Sequence, residues 1–545
     1  MLKFKNGALD LVKIGKKNLR QVKRNYSKAK LFEEIIKNRE GQISSDSAIV
    51  IRTGHAQEVS NNDLFIVNDH ISEKQVCWGP KINILDMLRY ETFINRLLSY
   101  MLNKSLYVQN CHVGSENSYQ VPIRVVTENA WHSLFARNMF FPINNQQDPE
   151  NYEPAFTVVH VPNFQSIPEI DGTYSQTAII INMTHKVVII CGSCYSGNIR
   201  QAVFTMINYL MPHDIFPVQC AASMTFSEDV ALFIGREGAG KTALAIDSQS
   251  IFIGDHAHGW TADGIFTYEN GIYARVFGID DENSPEINAC SKKFGTILEN
   301  ASIDLESRHI DLFDSDLTMN TRASFTNTCL PHSSSKGKYA HPKNIFFVTC
   351  DSLGVLPPII RISTEQAILG LLASFSSTFV KSDLGEVKPL LDFCFGKLAL
   401  TDPPHVYAEK LHKKIKDHNI ACWAINTGWS GRPYGEIDRI PIKYSRAAVR
   451  AVMAGDLENV DFETDSIFQY RIPKSCPGIP EKFLNPRNQA DNITEYELRA
   501  NRLVAEFIKD FSKYDNQIPK ELTGMLISLL PFEDRMDYSN LGFSM

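Results

Sequence analysis

Residues 230–260 read VALFIGREGAGKTALAIDSQSIFIGDHAHGW. The stretch opens with an apolar run of strand length and continues into Gly235, Gly238, Gly240, Lys241 and Thr242, which fit the pattern G-x4-G-K-[ST] ahead of helix-forming residues. Glycines let backbone N–H groups turn toward a phosphate, the lysine supplies a mobile positive charge, and the threonine hydroxyl can bind Mg²⁺. The pattern predicts a phosphate-binding loop between a strand and a helix.

A second apolar run ends at Asp255, thirteen residues beyond Thr242. An aspartate at the end of a neighbouring strand is the usual second anchor for a nucleotide-bound Mg²⁺. Asp255 and Thr242 are therefore the predicted magnesium ligands. Glu237 places a carboxylate inside the loop, which would repel phosphates if it turned inward and would be tolerated if it turned outward.

Length and composition restrict the class of protein. A chain of 545 residues is too long for one ordinary core and predicts two or three domains. With 43% hydrophobic and 21% charged residues, a largely disordered or fibrous chain is excluded. No run reaches 18 uninterrupted apolar residues, so no transmembrane segment is predicted. Eleven scattered cysteines do not form a secreted disulfide framework and fit a reducing compartment.

The charge is distributed unevenly. Residues 1–30 hold ten Lys/Arg and one acid, whereas the other 515 residues carry 45 basic and 61 acidic side chains, a net charge of −16. An acidic body disfavours nucleic-acid binding. The basic segment is acid-poor and amphipathic, which predicts a mitochondrial targeting segment with the matrix side as destination. A solvated basic helix that stays on the protein is the alternative.

Strand-like and helix-like patterns alternate along the whole chain, as in an α/β or α+β protein. The strand-like AIIINMTHKVVIICG (178–192) precedes the helix-like IRQAVFTMINYLM (199–211), and a strand-loop-helix pattern follows at 230–247. The predicted organisation is a targeting segment at 1–30, an N-terminal lobe at 31–215 and a nucleotide-binding C-terminal lobe at 216–545.

Several motifs together resemble the ATP-dependent phosphoenolpyruvate carboxykinase family. Residues 235–260 resemble that family's phosphate loop, G-x-S-G-T-G-K-T-T-L, and its metal strand, I-G-D-D-E-H-G-W. CGSCYSGNIRQAVFTMINYLMP, NTRASF, HPKNIFFVTCDSLGVLPPI and NTGWSGRPYGEIDRIPIKYSRAAV resemble further family blocks in the expected order. The resemblance runs from about residue 47 to the C-terminus and implies a two-lobed α/β fold with a phosphate loop in the C-terminal lobe.

The resemblance implies conversion of oxaloacetate and ATP to phosphoenolpyruvate, carbon dioxide and ADP, with Mg²⁺ on the nucleotide and Mn²⁺ on the substrate. It places Arg322 at the transferring phosphate, and Arg439 and Ser445 beside the adenosine. Tyr195 and Arg124 are retained on the substrate side. MgATP is therefore the expected cofactor if the loop still binds nucleotide.

The substrate half departs from the family pattern. The oxaloacetate-binding arginine falls on Val59, and the three protein ligands of the substrate Mn²⁺ are replaced as well. The lysine ligand falls on Gln201 (Arg200 stands at the preceding lysine), the histidine ligand on Gln219, and the second aspartate of the metal strand on His256. Amides are weak ligands for this metal. The sequence therefore predicts no manganese and no intact oxaloacetate site.

Two other groups have the spacing of functional sites. Cys191 and Cys194 have the spacing of a redox or zinc motif, although two packed thiols are the more ordinary interpretation. His256, His258 and Cys220 would be a candidate metal site. Since His258 matches a family histidine, a structural hydrogen bond is favoured.

Two functions from different classes follow. The first is a catalytically degenerate carboxykinase-like protein that serves as an accessory subunit with protein partners in a mitochondrial complex. The second is an enzyme, either an MgATP-dependent phosphotransferase acting on another substrate or a residual phosphoenolpyruvate carboxykinase (ATP).

Overall fold

The computed structural model describes residues 20–54, 61–78, 82–143, 152–372, 374–378, 388–392 and 402–511. Up to residue 211 the strands and helices are, in chain order, β1 Gln21–Arg24, α1 Lys28–Lys37, β2 Gly41–Ile43, β3 Ile49–Ile51, β4 Leu64–Asn68, α2 Ser72–Gln75, β5 Asn83–Asp86, α3 Met87–Met101, β6 Ser105–Val113, β7 Val121–Thr127, α4 Ala130–Met139, β8 Phe141–Pro142, β9 Phe156–Val161, α5 Pro168–Asp171, β10 Ala178–Asn182, β11 Val187–Cys191 and α6 Gly197–Leu210.

From residue 216 they are β12 Phe216–Met224, β13 Val230–Gly235, α7 Lys241–Ala245, β14 Ile251–Gly254, β15 Ala257–Thr261, β16 Gly264–Thr267, β17 Gly271–Arg275, α8 Pro285–Ser291, β18 Ile297–Glu299, β19 Ser302–Ile303, β20 Ile310–Asp311, β21 Arg322–Thr326, β22 Pro342–Thr349, β23 Ile359–Ile362, α9 Thr364–Leu372, β24 Ser374–Thr378, β25 Lys388–Asp392, α10 Pro404–Asp417, β26 Ala421–Asn426, α11 Ile442–Ala454, β27 Phe462–Thr464, β28 Arg471–Pro473, α12 Glu481–Leu484 and α13 Ile493–Phe511. Short 3₁₀ helices lie at Asn61–Asp63, Asn117–Tyr119, Asn327–Cys329 and Pro486–Gln489.

The first large sheet has nine strands in the order β1-β6-β7-β9-β11-β10-β4-β5, with β8 paired to β6. Its central strands are buried on both faces, which explains their continuous Val/Ile runs. Successive side chains of a strand point to opposite faces. Accordingly Val158 and Ile190 join the main core, whereas Val159 and Ile189 join a second core that is packed against α3.

The second large sheet has ten strands in the order β16-β15-β12-β13-β22-β26-β23-β28-β27, with β14 paired to β12. At its centre β13, β22 and β26 run parallel. Their carboxyl ends therefore meet at one edge, where Gly235 lies opposite Val348 and Thr349 lies opposite Asn426. Loops at such an edge are the usual place for a ligand in an α/β sheet.

A five-stranded sheet, β17-β21-β18-β3-β2, joins the two halves of the sequence, because β3 pairs in parallel with β18. The change from one large sheet to the other falls between Leu210 and Phe216, beside the predicted lobe boundary. Ile49–Ile51 nevertheless pair with Ile297–Glu299, from beyond residue 270. This sheet also carries Glu299 and Arg322 on adjacent strands.

The predicted targeting segment overlaps the folded body. Residues 1–19 lie outside the described residues, but β1 pairs in parallel with Ser105–Val108 and Lys23 forms an ion pair with Glu34. Removal of the chain up to Tyr26 would delete this edge strand. The predicted segment at residues 1–30 thus overlaps β1 and the start of α1, because composition shows charge and amphipathicity but not strand pairing. Its role in targeting stays a prediction from the sequence.

The prediction of a mixed α/β fold is confirmed. Among the helices of the described ranges, none combines the length and the apolar character needed to cross a bilayer.

Candidate functional site

The predicted phosphate-binding loop lies at the carboxyl edge of the second sheet, between β13 and α7. Gly238 and Gly240 have φ values of 83° and 100°, a region that side chains with a Cβ rarely adopt. The Lys241 Nζ atom donates to the carbonyl oxygens of Gly235 and Arg236 at 2.7 and 2.8 Å. The lysine ammonium is therefore held over its own loop, where a phosphate chain would be bound.

Thr242 and Asp255, the two predicted magnesium ligands, are in direct contact. The Thr242 hydroxyl donates to Asp255 Oδ1 across the gap between α7 and the end of β14. Asp255 is buried, and its second carboxylate oxygen accepts from Arg200 at 2.9 Å. A hydroxyl and a carboxylate side by side are the donor pair that Mg²⁺ takes in a phosphate-loop site. These residues fit an MgATP complex.

Arg322 reaches the loop from the start of β21. Its guanidinium forms an ion pair with Glu237 and lies 5.2 Å from the ring centroid of Tyr273. The side chain of Glu237 is 66% exposed and that of Arg322 only 10%. Arg322 also holds the pKa of Glu237 below its ordinary value. The loop carboxylate therefore lies at the arginine that the resemblance assigns to the transferring phosphate, and an incoming phosphate would have to displace it.

Arg439 and Ser445 lie on the side of the loop that faces β26. Arg439 donates to the backbone oxygen of Thr427 at 2.5 Å and to its hydroxyl at 3.0 Å. The Thr427 hydroxyl in turn donates to the carbonyl of Ala239 at 2.7 Å. Ser445 is buried on α11. The structure thus links Arg439 to the loop through one threonine.

The substrate half is built around a buried guanidinium. Arg200, on α6, contacts both carboxylate oxygens of Glu269 at 2.9 and 2.8 Å through Nε, and its Nη2 donates to Asp255. All three side chains are at most 7% exposed. Burial alone would raise the pKa of Glu269, but the Arg200 charge brings it down to about 2. Glu269 and Arg200 are therefore both ionised near neutral pH.

Gln219 and His256 complete this cluster. Gln219 Nε2 lies 2.6 Å from His256 Nε2, and His256 Nδ1 lies 3.3 Å from Glu269 Oε1. Burial and the Arg200 charge lower the pKa of His256, which keeps the imidazole neutral near pH 7. Two positions that would bind the substrate metal are thus engaged with each other. The described residues contain no group of three or more His, Cys, Asp or Glu side chains arranged to hold a metal.

These residues do not fit a substrate Mn²⁺. The Arg200 guanidinium donates to Asp255 and Glu269, and a cation cannot ligate a second cation. Gln201, beside it on α6, is half-buried. Val59 lies outside the described residues, so its replacement of the substrate arginine stays a prediction from the sequence.

Tyr195 and Arg124, the two retained residues of the substrate side, contact different parts of the structure. Tyr195 is buried and its ring centroid lies 6.0 Å from that of Tyr273, close to Arg322. Arg124, on β7 of the first sheet, donates to Asn110 Oδ1 at 3.0 Å and to the carbonyl of Tyr152 at 2.8 Å. Tyr195 therefore borders the phosphate-loop site. Arg124 instead holds the backbone at Tyr152 against the first sheet.

The two cysteines of the spacing motif and the group of Cys220, His256 and His258 have the surroundings of structural residues. Cys191 and Cys194 are free thiols, and burial raises their pKa values to about 12 and about 11. Such thiols are poor nucleophiles. Cys220 Sγ lies 3.4 Å from His258 Nδ1, while His256 contacts Gln219 instead. The two histidines therefore do not join Cys220 in one metal site.

Sequence reasoning missed Glu269, Tyr273 and Glu299. Glu269 lies in the β16–β17 connection, Tyr273 on β17 and Glu299 on β18, where the sequence shows no motif. Glu299 is 1% exposed and accepts hydrogen bonds from the hydroxyls of Ser196 and Tyr273. Burial raises the pKa of Glu299 to about 7. The surrounding sequence, ILENASI, places only two apolar residues directly before this lone acid, which is a weak signal.

Glu299→Gln is expected to change how stability depends on pH. The folded pKa of Glu299 lies above its ordinary value of 4.5, so protonation stabilises the fold at low pH and this stabilisation is lost as pH rises through about 7. Glutamine resembles the protonated acid and does not titrate. The free energy of unfolding of the variant relative to wild type should therefore rise by about 3 kcal/mol between pH 5 and pH 8. Urea unfolding across that range measures it, and parallel pH profiles would show that Glu299 is ionised throughout.

Comparison with known proteins identifies the family of this chain. The family model described as phosphoenolpyruvate carboxykinase matches residues 20–482. "Phosphoenolpyruvate carboxykinase (ATP)" of Pelobacter propionicus is 41% identical over 500 residues, which is 91% of this chain and 94% of the relative. The protein of the same name from Geotalea uraniireducens is 41% identical over 502 residues, again 91% and 94%. That of Caldanaerobacter subterraneus is 39% identical over 509 residues, 93% and 97%. The chain belongs to the ATP-dependent phosphoenolpyruvate carboxykinase family.

Proposed function

We propose that this protein is an ATP-binding member of the family that has lost most or all of its carboxykinase activity. The observation that carries the proposal is the Arg200 cluster, in which a guanidinium is paired with Asp255 and Glu269 where the family pattern has a metal site. The nucleotide half and the substrate half of the site thus differ in how far they keep the family's chemistry.

Contacts around the loop support nucleotide binding. Lys241 lies over the loop, Thr242 touches Asp255, and Arg322 approaches from β21. These groups supply a positive charge, a Mg²⁺ donor pair and a second cation for a phosphate chain. Among the described residues, the Glu237–Arg322 ion pair opposes binding, since ATP must replace the loop carboxylate at Arg322.

The expected loss of oxaloacetate chemistry follows from the missing positive groups in the substrate half of the site. Formation of an enolate requires fixed positive groups where negative charge develops, and removal of one such donor costs about 2.7–4 kcal/mol. Gln201, Gln219 and His256 each replace a metal-binding group, and Arg200 is committed to two carboxylates. Even with non-additive losses, a rate below about one thousandth of an ordinary enzyme's is expected.

Phosphoenolpyruvate carboxykinase (ATP) activity is the second candidate, and one observation favours it directly. The relatives carrying that name are about 40% identical across more than nine tenths of the chain. The Arg200 guanidinium also supplies a positive charge near the former metal position. An MgATP-dependent transfer to another acceptor would use the same loop.

A non-catalytic role is the corresponding biological proposal. The acidic body and the basic segment at residues 1–30 support import into mitochondria and association with protein partners. In a mitochondrial extract, the protein should then migrate at a native mass well above 61.5 kDa. Migration as a free chain would remove the accessory-subunit proposal without affecting ATP binding.

MgATP is expected to raise the melting temperature of the purified protein by a few degrees. A ligand present at a hundred times its Kd adds about 2.7 kcal/mol to the free energy of unfolding if it binds only the folded state. Lys241→Ala should abolish the increase, because Lys241 supplies the charge over the loop. Lys343→Ala is the matched control, since this exposed lysine pairs with Asp229 on the surface. A flat response of wild type across millimolar MgATP would refute nucleotide binding.

A further inference from the structure

The Glu237–Arg322 ion pair lies beside the magnesium donor pair of the phosphate loop. Mg²⁺ in such a site bridges the second and third phosphates of a nucleotide, so the contact between Thr242 and Asp255 marks where a terminal phosphate would begin. The Tyr273 N–H donates to Asp255 Oδ2 at 3.4 Å, and the Tyr273 ring centroid lies 5.2 Å from the guanidinium carbon of Arg322. One tyrosine therefore connects the magnesium position to the arginine that Glu237 holds.

Glu237 takes the nitrogen of Arg322 that a phosphate would need. Arg322 Nε donates to Asn320 Oδ1 at 2.9 Å, and Arg322 Nη2 donates to Glu237 Oε1. A guanidinium binds a phosphate in a bidentate manner either through its two terminal nitrogens or through Nε together with Nη2. Both arrangements use Nη2, so a phosphate can bind Arg322 in this manner only after the carboxylate has left.

The Glu237 carboxylate is charged and faces the solvent from which a nucleotide would arrive. The side chain of Glu237 is 66% exposed, whereas that of Arg322 is only 10% exposed. The positive charges of Arg322 and Lys241 lower the pKa of Glu237, so the carboxylate is ionised near neutral pH. A buried, fixed cation is thus covered by an anion that belongs to the loop itself.

Given the nucleotide binding proposed above, on which this inference rests, we propose that Glu237 occupies the terminal-phosphate position and makes the loop selective for a nucleoside diphosphate over a triphosphate. A diphosphate ends at the loop N–H groups and Lys241 and leaves the Glu237–Arg322 ion pair in place. A triphosphate adds an anion at the position of the carboxylate. It must therefore break the ion pair and lie beside a second negative charge.

A surface glutamate at the other end of the same strand provides the matched control. Glu228 lies just before β13, whereas Glu237 lies just after it. The side chain of Glu228 is 63% exposed and forms an ion pair with Lys336. Glu228 therefore has nearly the exposure and the type of partner that Glu237 has, but it lies away from the loop. Glu228→Gln should leave the Kd values of both nucleotides unchanged.

The test is isothermal titration calorimetry of the full-length protein with MgADP and, separately, with MgATP. Wild type should bind MgADP at least as tightly as MgATP. Glu237→Gln keeps the shape of the side chain and removes its charge. Because contacts to charged groups are the stronger hydrogen bonds, this variant should bind MgATP at least about tenfold more tightly than wild type and MgADP less than about threefold more tightly.

The same titrations distinguish failure of the selectivity from failure of nucleotide binding. Tighter binding of MgATP than of MgADP by wild type would overturn the selectivity while leaving nucleotide binding intact. Equal effects of Glu237→Gln on the two Kd values, or no tightening of MgATP, would do the same. Absence of binding of both nucleotides to wild type and to Glu237→Gln would refute nucleotide binding and the selectivity together.

Discussion

Arg200→Met is expected to lower the free energy of unfolding by about 3–5 kcal/mol, since removal of one partner from a buried ion pair leaves an uncompensated charge. Methionine keeps much of the side-chain volume, so the loss reports mainly on charge. Without the guanidinium, the buried carboxylates of Asp255 and Glu269 repel each other, and one of them must take up a proton. Urea unfolding at pH 7 measures the difference.

An exposed arginine provides the matched control. Arg450 also pairs with a carboxylate, that of Asp247 at 2.7 Å, but its side chain is 41% exposed. Arg450→Met should therefore cost less than about 1 kcal/mol. Adding Glu269→Gln to Arg200→Met should recover part of the lost stability, because one of the two opposed charges is removed. Equal costs for the two arginine variants would mean that Arg200 is not the centre of a buried ionic cluster.

The phosphate loop could be predicted because its information is local. An apolar run, spaced glycines and a following helix lie within about 20 residues, and the backbone there follows from glycine φ values and strand pairing. The contact between Thr242 and Asp255 was also predictable, since Thr242 follows β13 and Asp255 follows β14, two strands that both pair with β12.

Partners of the replaced residues could not be predicted in the same way. Arg200 and Glu269 are 69 positions apart, and their pairing depends on how α6 packs against the β16–β17 connection. The sequence identified Gln219 and His256 as replacements of two metal ligands, but not that they contact each other. For Glu237 the sequence left open whether the carboxylate turns toward the phosphate position or away from it. The ion pair with Arg322 on β21 holds the carboxylate at the arginine assigned to the transferring phosphate.

The segment at residues 20–30 illustrates a different limit. Its composition fits a mitochondrial targeting segment, yet β1 and the start of α1 belong to the folded body. Pairing with Ser105–Val108 depends on a sheet edge that is 84 residues away in sequence. The Lys23–Glu34 ion pair is likewise invisible to a count of charges.

The largest expected effect concerns catalysis. With ATP, Mg²⁺ and Mn²⁺ present, the purified protein should form phosphoenolpyruvate from oxaloacetate at less than about one thousandth of the roughly 10 s⁻¹ of an ordinary enzyme. The reason is that the groups which would stabilise the enolate are an amide pair, a neutral imidazole and a guanidinium already paired twice. The Geotalea uraniireducens relative, assayed in parallel, controls for the assay conditions.

The most direct measurement is therefore phosphoenolpyruvate production by protein that has first been shown to melt at a higher temperature in MgATP. Counting phosphoenolpyruvate rather than carbon dioxide avoids the spontaneous decarboxylation of oxaloacetate. We expect a thermal shift that requires Lys241, together with phosphoenolpyruvate formation below about one thousandth of an ordinary enzyme's roughly 10 s⁻¹. Turnover on the order of 10 s⁻¹ would contradict it and would establish the relatives' reaction in this chain despite the Arg200 cluster.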